Sequence, residues 1–243
     1  MTVADTLAAM RALPVLPLDA GIDPGCLLIL APHADDESLG CGGLIAECCA
    51  RGIPPRVLFV TDGTGSHPGS RLYPPARLRA LREAEARQAL SLLGLVPARI
   101  GFLRLPDTAA PQHGPAFDAA VAGIVLTAWR DGATALLAPW RHDPHGDHLA
   151  THRMAEAAAA MLDLPHIAYP VWGWTLPDSA PLDAPVEGFR LDIARHLPAK
   201  RRAIAAHASQ HGRVVPDDPA GFTLPEQFLA LFDRPHEVFL TCP

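Results

Sequence analysis

Short, wholly apolar runs recur along this chain, each followed by a polar loop and then a longer stretch with helical spacing. Cys26 to Ala31 (CLLILA) is the first such run. A strand buried on both faces reads this way, because neither side chain direction meets water. Arg56 to Thr61 (RVLFVT), Ile100 to Leu105, Thr134 to Trp140 and His166 to Val171 are four more strand candidates. Between them, helices are predicted over residues 37 to 50, 76 to 93, 117 to 129 and 147 to 162. The second carries Leu78, Leu81, Ala89, Leu92 and Leu93 at helical spacing, with Gly94 as its stop. Further on, Gly188 to Ile193 reads as a strand, Pro198 to Ser209 as a helix, Pro216 to Pro225 as a turn-rich loop, and Glu237 to Thr241 as a strand closing a sheet edge. Strands alternating with helices imply right-handed crossovers and a parallel sheet covered on both faces. The expected fold is α/β: a Rossmann-like three-layer sandwich with a mostly parallel central sheet. Residues 1–243 are read as one domain, with a core over about 25–211 and a C-terminal extension over 212–243.

Composition removes several alternatives. Hydrophobic residues make up 49% of the 243 and charged residues 19%, which is the profile of a packed domain rather than a disordered chain. The formal net charge is −6, so no basic face for nucleic acid is expected. The five cysteines are odd in number and form no C-x-x-C pair, so they read as small buried thiols in a reducing cytosol. The opening residues, MTVADTLAAMRALPVLPL, lack the apolar run of a secretion signal. No stretch of 18 apolar residues occurs, so no transmembrane segment and a cytoplasmic location are expected. Homo-oligomerisation stays open.

In open parallel sheets, ligands bind beyond the carboxyl ends of the strands. Two clusters fall there. Pro32-His33-Ala34-Asp35-Asp36-Glu37 follows the first strand, and Arg141-His142-Asp143-Pro144-His145-Gly146-Asp147-His148 follows the fourth. Catalytic zinc takes three protein ligands and keeps a position for water. His33 and Asp36, three apart at the mouth of a helix, can face one ion, and His148 can supply the third ligand. Asp35 stands beside them, free to take a proton from water. Taken separately, either cluster reads as an N-cap or a solvated loop. Their joint arrival at strand ends is what points to a site. His152 is read as structural or as lying outside the ligand set, because Leu149 stands where the zincin motif needs Glu. Gly40-Cys41-Gly42-Gly43 lacks dinucleotide-loop spacing and reads as helix packing against the sheet. Ser38 and Ser66 lie near His33 and His67, but no G-x-S-x-G elbow occurs.

The pair PHADDE (Pro32 to Glu37) and HGDH (His145 to His148) resembles the PIG-L/LmbE superfamily of zinc-dependent N-deacetylases, which act on N-acetylglucosaminyl groups. Thr61-Asp62-Gly63, Arg82-Glu83-Ala84-Glu85 and Lys200 to Gln210 (KRRAIAAHASQ) support it, over roughly residues 25 to 211. The resemblance implies that His33, Asp36 and His148 bind zinc, that Asp35 is the general base, and that His145 stabilises the oxyanion or acts as an acid, in its protonated form. It makes Asp147 a partner orienting His145, and Arg82 and Asp107 holders of sugar hydroxyls. Two departures stand out: Ala34 replaces a usual Pro, and Asp143 stands where some members carry a Tyr acid.

The expected activity is therefore removal of an N-acetyl or other N-acyl group from an amino sugar or glycoconjugate by metal-activated water. The cofactor is Zn2+, with Fe2+ able to occupy the same ligand set. Trp172 is a candidate stacking surface, and His67 could reach in from the Asp62 to Pro75 loop, which reads as a rim or lid. Three rival readings share parts of this pattern. They are a zinc amidase acting on a thiol conjugate or longer acyl chain, a non-catalytic metal- or sugar-binding module, and a nucleotide-binding protein.

Overall fold

The computed structural model describes residues 1–23, 25–182 and 186–242. The element order is α1 (Val3–Ala12), β1 (Val15–Leu16), α2 (Leu18–Gly21), β2 (Cys26–Ala31), α3 (Asp36–Ala50), β3 (Arg56–Thr61), α4 (Pro75–Leu92), β4 (Ile100–Leu105), α5 (Pro115–Asp131), β5 (Ala133–Pro139), α6 (Gly146–Leu162), β6 (His166–Tyr169), β7 (Gly188–Asp192), α7 (Leu197–Ala206), α8 (Glu226–Leu229) and β8 (His236–Thr241). One eight-stranded sheet runs in the order β1-β7-β8-β6-β5-β2-β3-β4. Every pairing is parallel except those of β8 with β6 and β7. No helix among the described residues is long and apolar enough to cross a membrane.

The pleat of β2 divides the core in two. Leu27, Ile29 and Ala31 face a cluster built with α3, α4 and α7, through Leu44, Ile45, Ala89, Leu90 and Ala203. Leu28 and Leu30 face the opposite cluster, with Val121 and Ile124 of α5 and Met154, Ala155 and Ala158 of α6. Helix α1 packs over β6 and β8, where Val3, Leu7 and Met10 meet Trp140, Ala168, Val238 and Leu240. Burial of each such side chain contributes about 1.5–3 kcal/mol.

The expected edge strand at 237–241 is not an edge. β8 lies between β6 and β7, antiparallel to both, so residues 212–242 thread an interior strand rather than an appendage. A short strand bonds too few partners for its position to show in local sequence, and the two-residue β1 was missed for the same reason. Position within the sheet also brings Glu237 against α3. Its carboxylate accepts from the Gly43 and Leu44 amides at 2.7 and 2.8 Å, and Lys200 Nζ donates to it at 2.7 Å. Both charges are buried, which is tolerable only because each satisfies the other.

The glycines of α3 are packing residues. A Cβ on Gly40 would lie 2.3 Å from Tyr169 Cδ2, and one on Gly43 would lie 2.3 Å from Ile193 Cγ2. Tyr169 is fully buried and its hydroxyl donates to the Leu30 carbonyl at 2.7 Å, so it cannot yield. Gly40→Ala should therefore lower stability by about 1–3 kcal/mol in chemical denaturation through overpacking, although alanine is the better helix former. A variant as stable as the parent would mean that α3 can move off the sheet.

Candidate metal centre and active-site cleft

β2 and β5 are adjacent, but their next strands leave in opposite directions along the sheet. This is the topological switch point, where a crevice opens at the carboxyl ends of the strands. The loop after β2 carries His33 to Asp35 into the crevice, and the loop after β5 carries His142 to His145. Helices α3 and α6 begin there, with Asp36 and Asp147 in their first turns.

The structure brings His33, Asp36 and His148 together. Asp36 Oδ2 lies 3.2 Å from His33 Nδ1 and 3.3 Å from His148 Nε2. Ligands at zinc bond lengths of about 2.0–2.1 Å in a tetrahedron are separated by about 3.3–3.4 Å, so each of the two spacings to Asp36 is that of a pair of ligands on one cation. Each imidazole turns its other nitrogen to a carboxylate. His33 Nε2 meets Asp147 Oδ2 at 3.0 Å and Asp107 Oδ1 at 3.2 Å, and His148 Nδ1 meets Asp143 Oδ2 at 2.9 Å. Carboxylates placed there fix the tautomer that leaves His33 Nδ1 and His148 Nε2 with lone pairs. His148 Nε2 is buried and has no hydrogen-bond partner among the described residues, an orphan that a cation would satisfy. His145 also offers a donor within 4.8 Å of those of His33 and His148.

The electrostatics of the cleft favour positive charge. Burial alone would raise the Asp36 carboxyl, but His148 and His33 together hold it far below the usual carboxylate range. Burial would lower the His148 imidazole, but Asp36 and Asp143 lift it to about 9. Without a metal, protons on these rings supply the compensation, and a bound cation displaces them.

Asp35 stands beside this group. Burial pushes its carboxyl up to about 6, against the opposing charge of Arg82, whose Nη2 is 3.5 Å from Asp35 Oδ2. The Asp35 amide donates to Glu37 Oε2 at 3.0 Å. Glu37 Oε1 in turn accepts from the Ser38 hydroxyl at 2.6 Å and meets His207 Nε2 at 3.1 Å. Ser38 and His207 thus serve a carboxylate relay, with no serine nucleophile among them. Arg82 comes from the buried face of α4 and donates from Nη2 to the Ala34 carbonyl at 2.8 Å, while its Nε and Nη1 have no partner among the described residues.

Two expected relations change. Asp147 orients His33 rather than His145, because its carboxylate is spent on His33 and on the Thr108 and Ala110 amides at 2.7 and 2.9 Å. Only its backbone N–H reaches His145, donating to Nδ1 at 3.2 Å. A ring nitrogen that accepts cannot carry a proton, so this contact favours the neutral ring with its hydrogen on Nε2. Burial and the neighbouring histidines also push its pKa down, against the protonated form expected from sequence. Thr108 takes a φ of 66°, a region that β-branched residues avoid, and the Asp147 contact holds it there beside Asp107.

The cleft above these groups is lined by Leu39, Gly65, Ser66, Arg82, Asp107, His145, Trp172, Gln210, Phe222 and Leu224. The 62–75 loop does contribute a rim through Gly65 and Ser66, but His67 is not brought to the cleft. It is buried, bonded through Nδ1 to Ser66 Oγ at 3.2 Å, with Gly221 closing over its ring. Trp172 lines the cleft with one face stacked on Phe228 at 4.0 Å, so only its other side is open to a ligand. Sequence reasoning missed Asp143, Glu37, His207, Gln210, Phe222 and Leu224. The spacing within KRRAIAAHASQ was the available signal. Lys200 holds Glu237, His207 holds Glu37, Ser209 donates to Glu85 at 2.7 and 2.6 Å, and Gln210 lines the cleft.

Comparison with known proteins agrees with this geometry. A 1D-myo-inositol 2-acetamido-2-deoxy-alpha-D-glucopyranoside deacetylase of Rhodococcus opacus (strain B4) is 31% identical, over 76% of this chain and 81% of that protein. One of the same description from Actinosynnema mirum is 28% identical, over 77% and 81%. The N,N'-diacetylchitobiose deacetylase of Pyrococcus horikoshii, solved with an inhibitor, shares the fold at a TM-score of 0.67 and 19% identity, over 98% of this chain and 90% of that one. The family model described as PIG-L, GlcNAc-PI de-N-acetylase, matches residues 28–159, which include both clusters of the cleft. The chain belongs to the PIG-L family and is an N-deacetylase of the hydrolase class.

Proposed function

We propose that this protein hydrolyses the N-acetyl amide of an amino-sugar conjugate, using one divalent cation held by His33, Asp36 and His148. One observation carries the reading. Both histidines give one nitrogen to a carboxylate and turn the other toward the same Asp36 oxygen. The donor set of two imidazoles and a carboxylate suits zinc and also iron(II). When bound, the cation supplies Lewis-acid activation of water and of the amide carbonyl.

The remaining chemistry belongs to the chain. Asp35 takes a proton from the attacking water as its oxygen bonds to the carbonyl carbon. The neutral His145 donates its Nε2 hydrogen toward the oxygen that becomes negative. As the C–N bond breaks, Asp35 returns its proton to the leaving nitrogen, so acetate and a free amine result. Glu37, tied to His207, keeps the Asp35 backbone in place. The unpartnered Arg82 nitrogens and the Asp107 carboxylate are the polar groups that would read sugar hydroxyls, and the open side of Trp172 would meet the apolar face of a sugar ring.

The relatives that act on an N-acetylglucosaminyl inositol support the amino-sugar class. A binding module would have no use for a carboxylate seated beside the metal ligands and tied to no cation ligand itself. A longer acyl chain or a thiol conjugate would have to pass Leu39, Trp172, Phe222 and Leu224, and this is the point at which the pocket discriminates.

Asp35→Asn should keep the metal by elemental analysis while kcat falls by about 10²–10⁴-fold; near-parental turnover would remove Asp35 from the base role. Asp143→Asn should weaken zinc affinity by about 10–100-fold through loss of the His148 anchor, measured by competition with a chelator. Complete chelation should abolish acetate release from N-acetylated sugar conjugates, and zinc should restore it. If only longer acyl amides, or amides without a sugar, are cleaved after reconstitution, the amino-sugar assignment is wrong.

A further inference from the structure

One helical turn beyond His148, about 6 Å along α6, lies a second group of metal-ligating side chains. His152, His166 and Cys242 each offer a donor atom, and the three lie within 4.8 Å of one another. They come from three elements: α6, the start of β6, and the residue after β8. None lines the deacetylase cleft.

The topology makes this meeting rigid. β6 and β8 are antiparallel, with Ile167 opposite Thr241 and Ala168 opposite Leu240. Extending that register places His166 opposite Cys242, and the Cys242 amide donates to the His166 carbonyl at 3.1 Å. Opposed residues in an antiparallel pair project from the same face with Cβ atoms about 4.5–5.5 Å apart. Helix α6 packs on that face, where the His152 and His166 rings are 4.7 Å apart at their centroids.

The two imidazoles suit a ligand, while burial pushes the Cys242 thiol up to about 11, so a cation would have to displace its proton. His152 Nδ1 lies 3.0 Å from the Pro139 carbonyl, which only a protonated nitrogen can approach, so its Nε2 keeps a lone pair. This is the arrangement in which a backbone carbonyl orients a metal-binding imidazole. His166 is 9% exposed, and its Nε2 is buried with no hydrogen-bond partner among the described residues. A ligand on that nitrogen would supply the partner it lacks. Burial drives the His166 pKa down to about 3, so its lone pair stays available. Glu156, on the turn of α6 after His152, is exposed and close enough for its charge to act on both His152 and Cys242.

We propose that His152, His166 and Cys242 form a second, structural site for a thiophilic d10 cation of the Zn2+ class, separate from the catalytic centre. Two imidazoles and a thiolate are a donor set typical of zinc, with water or the Glu156 carboxylate as fourth ligand. Binding forms one metal–sulfur bond and releases the Cys242 thiol proton to solvent. The site would tie the last interior strand to α6.

The test uses the full-length, reduced protein, stripped with chelator and reloaded with Zn2+ or Co2+. Elemental analysis should give two zinc per chain, falling to one in Cys242→Ser and in His166→Gln. The cobalt protein should show a sulfur-to-metal charge-transfer band that Cys242→Ser removes. The band should persist in a His33→Ala/Asp36→Asn double variant, in which the deacetylase centre is destroyed, so failure of one site does not imply failure of the other. Cys242→Ser should keep parental acetate release when catalytic zinc is supplied. If that variant does not fold, alkylation of the parent followed by peptide mass spectrometry decides, with Cys242 protected by zinc. One zinc per chain in the parent, a cobalt spectrum without a Cys242-dependent band, or equal alkylation with and without zinc would each overturn the site.

Discussion

Carboxylates are crowded into the crevice between β2 and β5, and nearly all are buried: Asp35, Asp36, Glu37, Asp143 and Asp147. An ionised carboxylate taken from water without compensation costs several kcal/mol. The fold therefore has to deliver positive charge or aligned donors to each one. His33 and His148 face Asp36, Arg82 faces Asp35, His207 faces Glu37, and backbone amides of the Val171–Gly173 turn converge on Asp143. Much of the structure around the cleft reads as the means of meeting this requirement. The cation proposed for His33, Asp36 and His148 would complete the balance.

The sheet explains why one crevice receives every part. β2 and β5 sit at the reversal of strand order, so their loops are the two that cannot be covered by a crossover helix. The helices that follow, α3 and α6, begin at the cleft and place Asp36 and Asp147 in their first turns, where acids are favoured by the helix dipole. The long α4 gives up part of its apolar face to Arg82, which meets the Ala34 carbonyl and Asp35, and to Glu85, while α7 with the turn after it supplies the partners of Glu85, Glu37 and Glu237. Helices that would otherwise only pack thereby become positioning elements.

The parallel strands and their helices were legible in sequence because their signals are local: CLLILA and RVLFVT have no polar side to expose, and residues 76 to 93 repeat at helical period. The His/Asp cluster was legible because both loops combine His with Asp and both fall at strand ends. The partners of those ligands were not legible. Asp143 lies five residues before His148 and looks like any loop acid, and His207 meets Glu37 across 170 positions. His67 misled for the converse reason: a histidine in a long glycine-rich loop reads as mobile, yet Ser66 and Gly221 enclose it.

By itself, the chain's order of residues determined the α/β class, the two loops that hold the ligands, and the free acid beside them, since each depends on neighbours within a few positions. Only the tertiary structure decided which nitrogen of each histidine turns toward Asp36, that His145 Nδ1 accepts the Asp147 amide, that Asp147 serves His33, and that the final strand lies inside the sheet. His33 meets Asp147 across 114 positions, and even the short-range contacts, Asp143 on His148 and the Asp147 amide on His145, form only in loops that the whole fold holds in place. No local pattern encodes them, because each exists only once burial has removed water as the competing partner.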